Sequence, residues 1–294
     1  MCLSLCLLTG CNKTKSSPEE KLTEEKILDI GLVPEQDIFE EIARYQPLAD
    51  YISRKIGAKI KLTVLPHYGN VIHNFLSLHL DGAFLGSFSY VLAHSKLELQ
   101  VLARPQYLDG TSTYHGLIFV RRDSGIRTAK DMKGKRFAFV DKATTAGYLL
   151  PLAYFKKHGI KHYKVYFKET YFAGTHGDAI NDVLNGRADI GAAKNTVYER
   201  MAKTDNRIKN DLIILETSPD VPENGLAVRK ELDDSIKMKL KGVLLAMDND
   251  RDGIIVLKNF GALRFIITSD KDYEPVYNYA REIGLNLATY DYEN

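Results

Sequence analysis

Asp141-Lys142-Ala143-Thr144-Thr145-Ala146-Gly147-Tyr148-Leu149-Leu150-Pro151 follows a short apolar run, Arg136 to Val140, and opens a segment of helical periodicity that extends to about Lys157. A strand that empties through small hydroxyl residues into a helix start is a ready anion site. The first turn of a helix has backbone N–H groups without internal partners, and the helix dipole places partial positive charge there. Thr144 and Thr145 add two side-chain donors, and Ala146 and Gly147 allow a ligand close to the backbone. Taken alone, the stretch is read more simply as Thr144 capping its helix. The rest of the chain reverses that preference.

On either side, apolar runs of strand length alternate with amphipathic segments. Residues 26–33 read as a buried strand ended by Pro34, and a helix follows with apolar positions Ile38, Ile42, Leu48, Ile52 and Ile56. Pro47 should break or kink it, and Gly57 should stop it. Further strands are expected at 59–65, 82–86, 99–104 and 116–122. The alternation restarts after Asp123-Ser124-Gly125 with strands at 136–140, 164–167, 190–193, 212–216 and 226–229. Helices close the chain near 231–247 and 273–283. Such alternation implies an α/β protein with mostly parallel sheets covered on both faces.

A weak internal repeat recurs at a separation of 108 residues, as from Tyr68 to His176. The same offset pairs Gly69 with Gly177, Ile72 with Ile180, Asp81 with Asp189 and Tyr90 with Tyr198. Apolar matches come cheaply between amphipathic helices; two aspartates and two tyrosines in register do not. The pattern implies two lobes of similar topology, with helix N-termini along one edge of each. In open α/β sheets ligands sit beyond the carboxyl ends of the strands, so Tyr68 and His176 are expected to face each other across a cleft.

The 294 residues are enough for two cored domains, and a net charge of +2 with both signs interspersed leaves no nucleic-acid stripe or polybasic patch. All three cysteines, Cys2, Cys6 and Cys11, lie near the N-terminus, so no disulfide is expected in the folded body. Residues 1–11 end in Leu8-Thr9-Gly10-Cys11, which resembles the lipobox of bacterial lipoproteins with Cys11 as the lipidated residue. The preceding segment is short for a signal peptide and lacks a basic n-region. Residues 12–25 are polar and charged and read as a tether.

Catalytic patterns are missing. There is no HExxH, GxSxG, GxGxxG or Walker lysine loop; His158 and His162 are split by Gly159, and the Ser87 and Ser89 segment has no base at a recognisable spacing. No enzyme, cofactor or metal site is expected.

In their order and spacing, several segments together resemble the phosphate/phosphite/phosphonate periplasmic binding proteins of ABC importers, within the class II solute-binding fold. They are Gly31 to Glu35, Arg44 to Tyr51, Asp81 to Gly86, Arg122 to Ile126, Thr144 to Pro151, Ala173 to His176 and Ser218 to Pro222. The resemblance runs from residue 26 to the C-terminal helices. It implies a two-lobed clamp on a phosphorus oxyanion, with residues 26–120 plus 226–294 as one lobe, 121–225 as the other, and crossings near 120–124 and 222–226 as the hinge.

The family's hydroxyl triplet falls on Thr144, Thr145 and Ala146, its phosphonate-contacting histidine on His176, and its cleft tyrosines on Tyr68 and Tyr114. Ser87, Asn195 and Asn224 complete the expected ligand set. Ala146 stands where a third hydroxyl is usual. The carboxylates that hold the ammonium of aminoalkylphosphonates fall on Val197 and Asn224, which are uncharged, so phosphate, phosphite or a small neutral-tailed phosphonate is the expected ligand. A protonated His176 would strengthen the anion's hydrogen bonds. The expected setting is a monomer at the periplasm or cell surface, anchored by lipid on Cys11 and serving an ABC permease and ATPase. A sensor for a membrane kinase would use the same pocket.

Overall fold

The computed structural model describes residues 26–69 and 71–292. The lipobox with Cys11, the whole of the tether and the three cysteines lie outside them. Among the described residues, thirteen strands form two sheets and a small ribbon. In chain order they are β1 (Ile27–Leu32), β2 (Lys59–Val64), β3 (Gly82–Leu85), β4 (Gln100–Tyr107), β5 (Thr113–Tyr114), β6 (Gly116–Arg121) and β7 (Arg136–Phe139). They continue with β8 (Glu169–Phe172), β9 (Ile190–Lys194), β10 (Leu212–Thr217), β11 (Val221–Pro222), β12 (Gly225–Val228) and β13 (Ala262–Ile267). The first sheet has the order β13-β4-β12-β3-β1-β2 and the second β10-β6-β9-β7-β8, while β5 and β11 pair as a ribbon between them.

The sheets are mixed, which corrects the expectation of mostly parallel ones. The pairs β1·β2, β1·β3, β7·β8 and β7·β9 are parallel, whereas β12 and β13 in the first sheet and β6 and β10 in the second run antiparallel to their neighbours. The antiparallel half of each sheet comes from strands on either side of the crossings. Sheet membership also moves the first crossing: Gly116–Arg121 pairs with β9 and β10, so the chain has already left the first lobe before residue 116.

The first long helix, α1 (Ile38–Ile56), starts with Asp37 accepting from the Phe39 N–H and ends at Gly57 with φ 70°. Pro47 lies within it without ending it, contrary to expectation. Tyr45, Leu48, Ala49 and Ile52 bury the face around the lost hydrogen bond, and that burial outweighs it. Residues 163–166 form a helical turn rather than the expected strand; the strand comes three residues later, at β8.

The repeat has a structural basis. In one lobe α2 (Val71–Ser77) leads through β3 into α3 (Ser87–Leu97). In the other, the helix His176–Leu184 leads through β9 into the helix Asn195–Thr204. The paired aspartates do the same work: Asp81 accepts from the Asp29 N–H and Asp189 from the Arg136 N–H, each tying the approach to one strand onto the start of its parallel neighbour.

Candidate functional site

Four chain segments that begin helices meet between the lobes, at Ser87, Thr145, His176 and Asn195. Between them lies a small cavity of ≈ 10 Å³ lined by Tyr68, Gly86, Phe88, Ser89, Tyr114, Ala143, Thr144, Thr145, His176, Lys194 and Asn224. Larger grooves exist, including one of ≈ 480 Å³ against Leu117, Leu150 and Tyr279, and one of ≈ 820 Å³ lined by Gln36, Arg44, Thr175 and Arg200 among others.

Residues 141–151 build one wall. Thr145–Leu149 is a π-helical turn that continues into the α-helix Leu150–Lys157. Thr144 precedes this turn without capping it, since its hydroxyl donates to the Asp141 carbonyl at 2.6 Å. Thr145 Oγ1 accepts from the Phe88 N–H at 2.9 Å, which leaves its own proton to point elsewhere; the hydroxyls of Tyr114, Thr145 and Ser87 lie within hydrogen-bonding reach. Ser89 Oγ donates to the Ala143 carbonyl at 2.9 Å. Both bonds run from α3 to the residue 141–151 wall, so they hold the lobes together.

Ala146 and Gly147 do not face the cavity. The Ala146 side chain turns toward Gly116, and a Cβ on Gly147 would lie 2.4 Å from Val140 Cβ and 2.8 Å from Thr144 Oγ1. Gly147 is needed so that the turn can pack on the end of the strand before it, not for ligand approach. Gly147→Ala should therefore cost about 1–3 kcal/mol by overpacking, seen as a lowered urea midpoint with unchanged slope.

Tyr68 and His176 meet edge to face, with ring centroids 5.9 Å apart. Tyr68 is buried, and its hydroxyl is among the buried side-chain atoms with no hydrogen-bond partner. His176 Nδ1 accepts from the Lys194 N–H at 3.3 Å, so the ring proton resides on Nε2. Burial drives the His176 pKa down to about 3; Glu35 opposes this, and Lys194 and Arg200 add to it. The imidazole is thus held neutral, and its Nε2–H is an uncharged donor.

The other expected contacts divide. Asn224 lines the cavity, with Nδ2 on Glu35 Oε1 at 3.0 Å. Ser87 stands behind Tyr114 and gives its proton to the Pro222 carbonyl. Asn195 is spent on structure, accepting from the His115 N–H at 3.0 Å and donating to Glu199 at 3.2 Å. Val197 is buried in the core.

The sequence reading missed Lys194, Glu35 and Glu223. Lys194 Nζ contacts Glu35 at 2.7 Å and also Glu223, while Arg44 and Arg200 approach the second oxygen of Glu35 at 3.6 Å each. Burial opposes ionisation of Glu35, but Lys194, Arg200 and Arg44 outweigh it and hold its carboxyl well below the usual range. A lysine closing the otherwise small and apolar strand Ile190–Lys194 was the available signal.

Side-chain donors and helix starts converge between the two α/β lobes, the arrangement of a substrate-binding protein. The sequence family described as ABC transporter, phosphonate, periplasmic substrate-binding protein matches residues 30–273, and the chain belongs to it. Among its relatives, the phosphonates-binding periplasmic protein of Escherichia coli K12 is 25% identical over 268 residues, 90% of this chain and 78% of that one. A probable ABC transporter phosphite-binding protein of Prochlorococcus marinus is 24% identical over 274 residues, 88% of this chain and 90% of that one. A binding-protein component of an ABC phosphonate transporter from Pseudomonas aeruginosa shares the fold with a TM-score of 0.81 at 22% identity, covering 87% of this chain and 86% of that one.

Proposed function

We propose that this protein captures a small phosphorus oxyanion (phosphate, phosphite or a phosphonate with a short neutral tail) and presents it to an ABC permease and its ATPase. In this reading Cys11 carries the lipid that keeps the protein at the outer face of a membrane, and residues 12–25 are the tether. The lobes rotate about the β5·β11 ribbon.

The observation that carries the reading is the buried, unpartnered hydroxyl of Tyr68 beside the Thr145 hydroxyl and the His176 Nε2–H, all from helix starts or the loops before them. A phosphorus oxyanion supplies the acceptor that the Tyr68 hydroxyl lacks. As closed, the cavity has room for about one water molecule. The oxyanion is therefore admitted by parting the Phe88–Thr145 and Ser89–Ala143 bonds, and it takes over the Phe88 N–H and Thr145 hydroxyl so released. Closure depends on the ligand because donors from both lobes reach it only when the cleft shuts.

Isothermal titration with phosphate, phosphite, methylphosphonate, sulfate and nitrate tests the proposal. Hydrogen bonds to a charged group are worth roughly 1.5–3 kcal/mol, so Thr145→Ala or His176→Ala should weaken phosphorus-oxyanion binding about ten- to a hundred-fold. Tyr68→Phe should weaken it similarly while leaving the unliganded protein no less stable, because it deletes an unsatisfied buried group. Unchanged affinity in all three variants would remove the site.

A further inference from the structure

Beside the donors of the cavity sits a complete receptor for a primary ammonium, and the protein fills it with its own. Lys194 closes β9 with a side chain only 3% exposed, against carboxylates of Glu35 and Glu223 that are 3% and 1% exposed. Its Nζ donates to Glu35 Oε1 at 2.7 Å, to Asn224 Oδ1 at 3.0 Å and to Glu223 Oε1, and it lies 4.5 Å from the centre of the Tyr114 ring. An ammonium has three N–H bonds, and here all three have protein acceptors. This cation therefore has no donor to offer an anion, even though Lys194 lines the oxyanion cavity. What it supplies, together with Arg44 and Arg200, is neutralisation of two buried carboxylates, which would otherwise repel a negative guest.

The receptor is assembled from distant parts of the chain: the loop after β1, the segment between β11 and β12, and the end of β9. Glu223 Oε2 is buried without a hydrogen-bond partner, so its acceptor capacity exceeds what Lys194 uses. Two carboxylates, an amide oxygen and an aromatic face are the groups that recognise an organic ammonium. Lys194, Asn224 and Tyr114 line the same cavity as Tyr68, Thr145 and His176, and the two carboxylates meet Lys194 beside it.

We infer that Lys194 is a specificity residue that occupies a cation subsite from within, so that the protein accepts an oxyanion without a cationic tail. Truncating it turns the same cavity into a site for an oxyanion that carries an ammonium. The inference rests on the phosphorus-oxyanion reading given above. A ligand bearing its own ammonium must compete with a covalently attached one, whose local concentration no free solute matches.

The test uses the full chain and two variants. By isothermal titration, wild type should prefer methylphosphonate to 2-aminoethylphosphonate by about a hundred-fold or more, and Lys194→Ala should reduce that preference at least about ten-fold. Lys194→Met, which fills the volume without charge, should not gain affinity for the aminophosphonate. Equal discrimination by wild type and Lys194→Ala overturns the inference, as does a wild type that binds both ligands alike.

A second arm needs no phosphonate. Propylammonium replaces the atoms that Lys194→Ala removes, so it should raise the melting temperature of that variant by about 2–4 °C or more relative to equal sodium. It should leave wild type and Lys194→Met unmoved. Phosphonate binding absent in wild type, together with selective rescue by propylammonium, would sink the oxyanion reading and uphold the cation subsite; no selective rescue overturns the subsite. Should Lys194→Ala fail to fold in plain buffer, recovery of folded protein with propylammonium but not sodium is the supporting result, and recovery with neither is the overturning one.

Discussion

Glu35→Ala should lower the free energy of unfolding by about 3–5 kcal/mol, the range for breaking a buried ion pair by removing one partner. The carboxylate receives Lys194 Nζ and Asn224 Nδ2 on one oxygen and faces Arg44 and Arg200 with the other. Without it, the Lys194 ammonium keeps a single carboxylate, the Asn224 amide loses its acceptor, and two guanidinium groups face each other with less between them. Glu35→Gln should cost less, because an amide oxygen still accepts from Lys194 and Asn224. Urea unfolding of both variants supplies the numbers. A loss from Glu35→Ala of under about 1 kcal/mol would reduce the cluster to the standing of an exposed ion pair.

A second large effect lies in the pH dependence of stability, where two buried groups oppose each other. Glu41 is buried on α1, and its pKa is raised from 4.5 to about 7 by burial and by repulsion from Glu35, against the pull of Arg44, Arg200 and Lys194. His176 is lowered from 6.5 to about 3. Between pH 4.5 and 6.5 the folded protein holds a proton on Glu41 that the unfolded chain has lost, so this contribution falls as pH rises. Over the same window the unfolded chain holds a proton on His176 that the folded protein lacks, so that contribution rises with pH. Each slope is about 1.4 kcal/mol per pH unit, and for these two groups they cancel. Glu41→Gln removes the first alone, so the variant should gain about 2.8 kcal/mol between pH 4.5 and 6.5 where wild type stays nearly flat. Parallel profiles for the two proteins would show that Glu41 titrates normally.

What could be read in the sequence was whatever depends on local chemistry. The hydroxyls before a helix start put Thr144 and Thr145 at the cavity, and the in-register repeat set Tyr68 against His176. Strand positions followed from apolar runs with turn residues between them. Sheet direction did not, because apolar runs look the same whichever way a neighbour points. The edge strand β13 was missed for a related reason: its residues are half exposed, and it becomes a strand only by pairing with β4. The ionic cluster was harder still. Glu35 and Glu223 are 188 positions apart, and nothing local distinguishes either from an ordinary surface glutamate. Their burial, like the burial of His176 that holds its ring neutral, exists only once the lobes meet. Ser87, Asn195 and Ala146 were placed near the cavity through the resemblance, and the structure gives their side chains to the ribbon, to His115 and to Gly116 instead.

Tyr114 belongs both to the cavity wall and to the β5·β11 ribbon. With that ribbon as the axis, an opening swing displaces each wall residue in proportion to its distance from it. Tyr114 then travels least, while the Phe88–Thr145 and Ser89–Ala143 contacts part. An arriving ion would find the phenol already at its final station and the remaining groups still distant. Substituting Tyr114 would then slow capture, whereas changes at Tyr68 or His176 would shorten the time the ion stays.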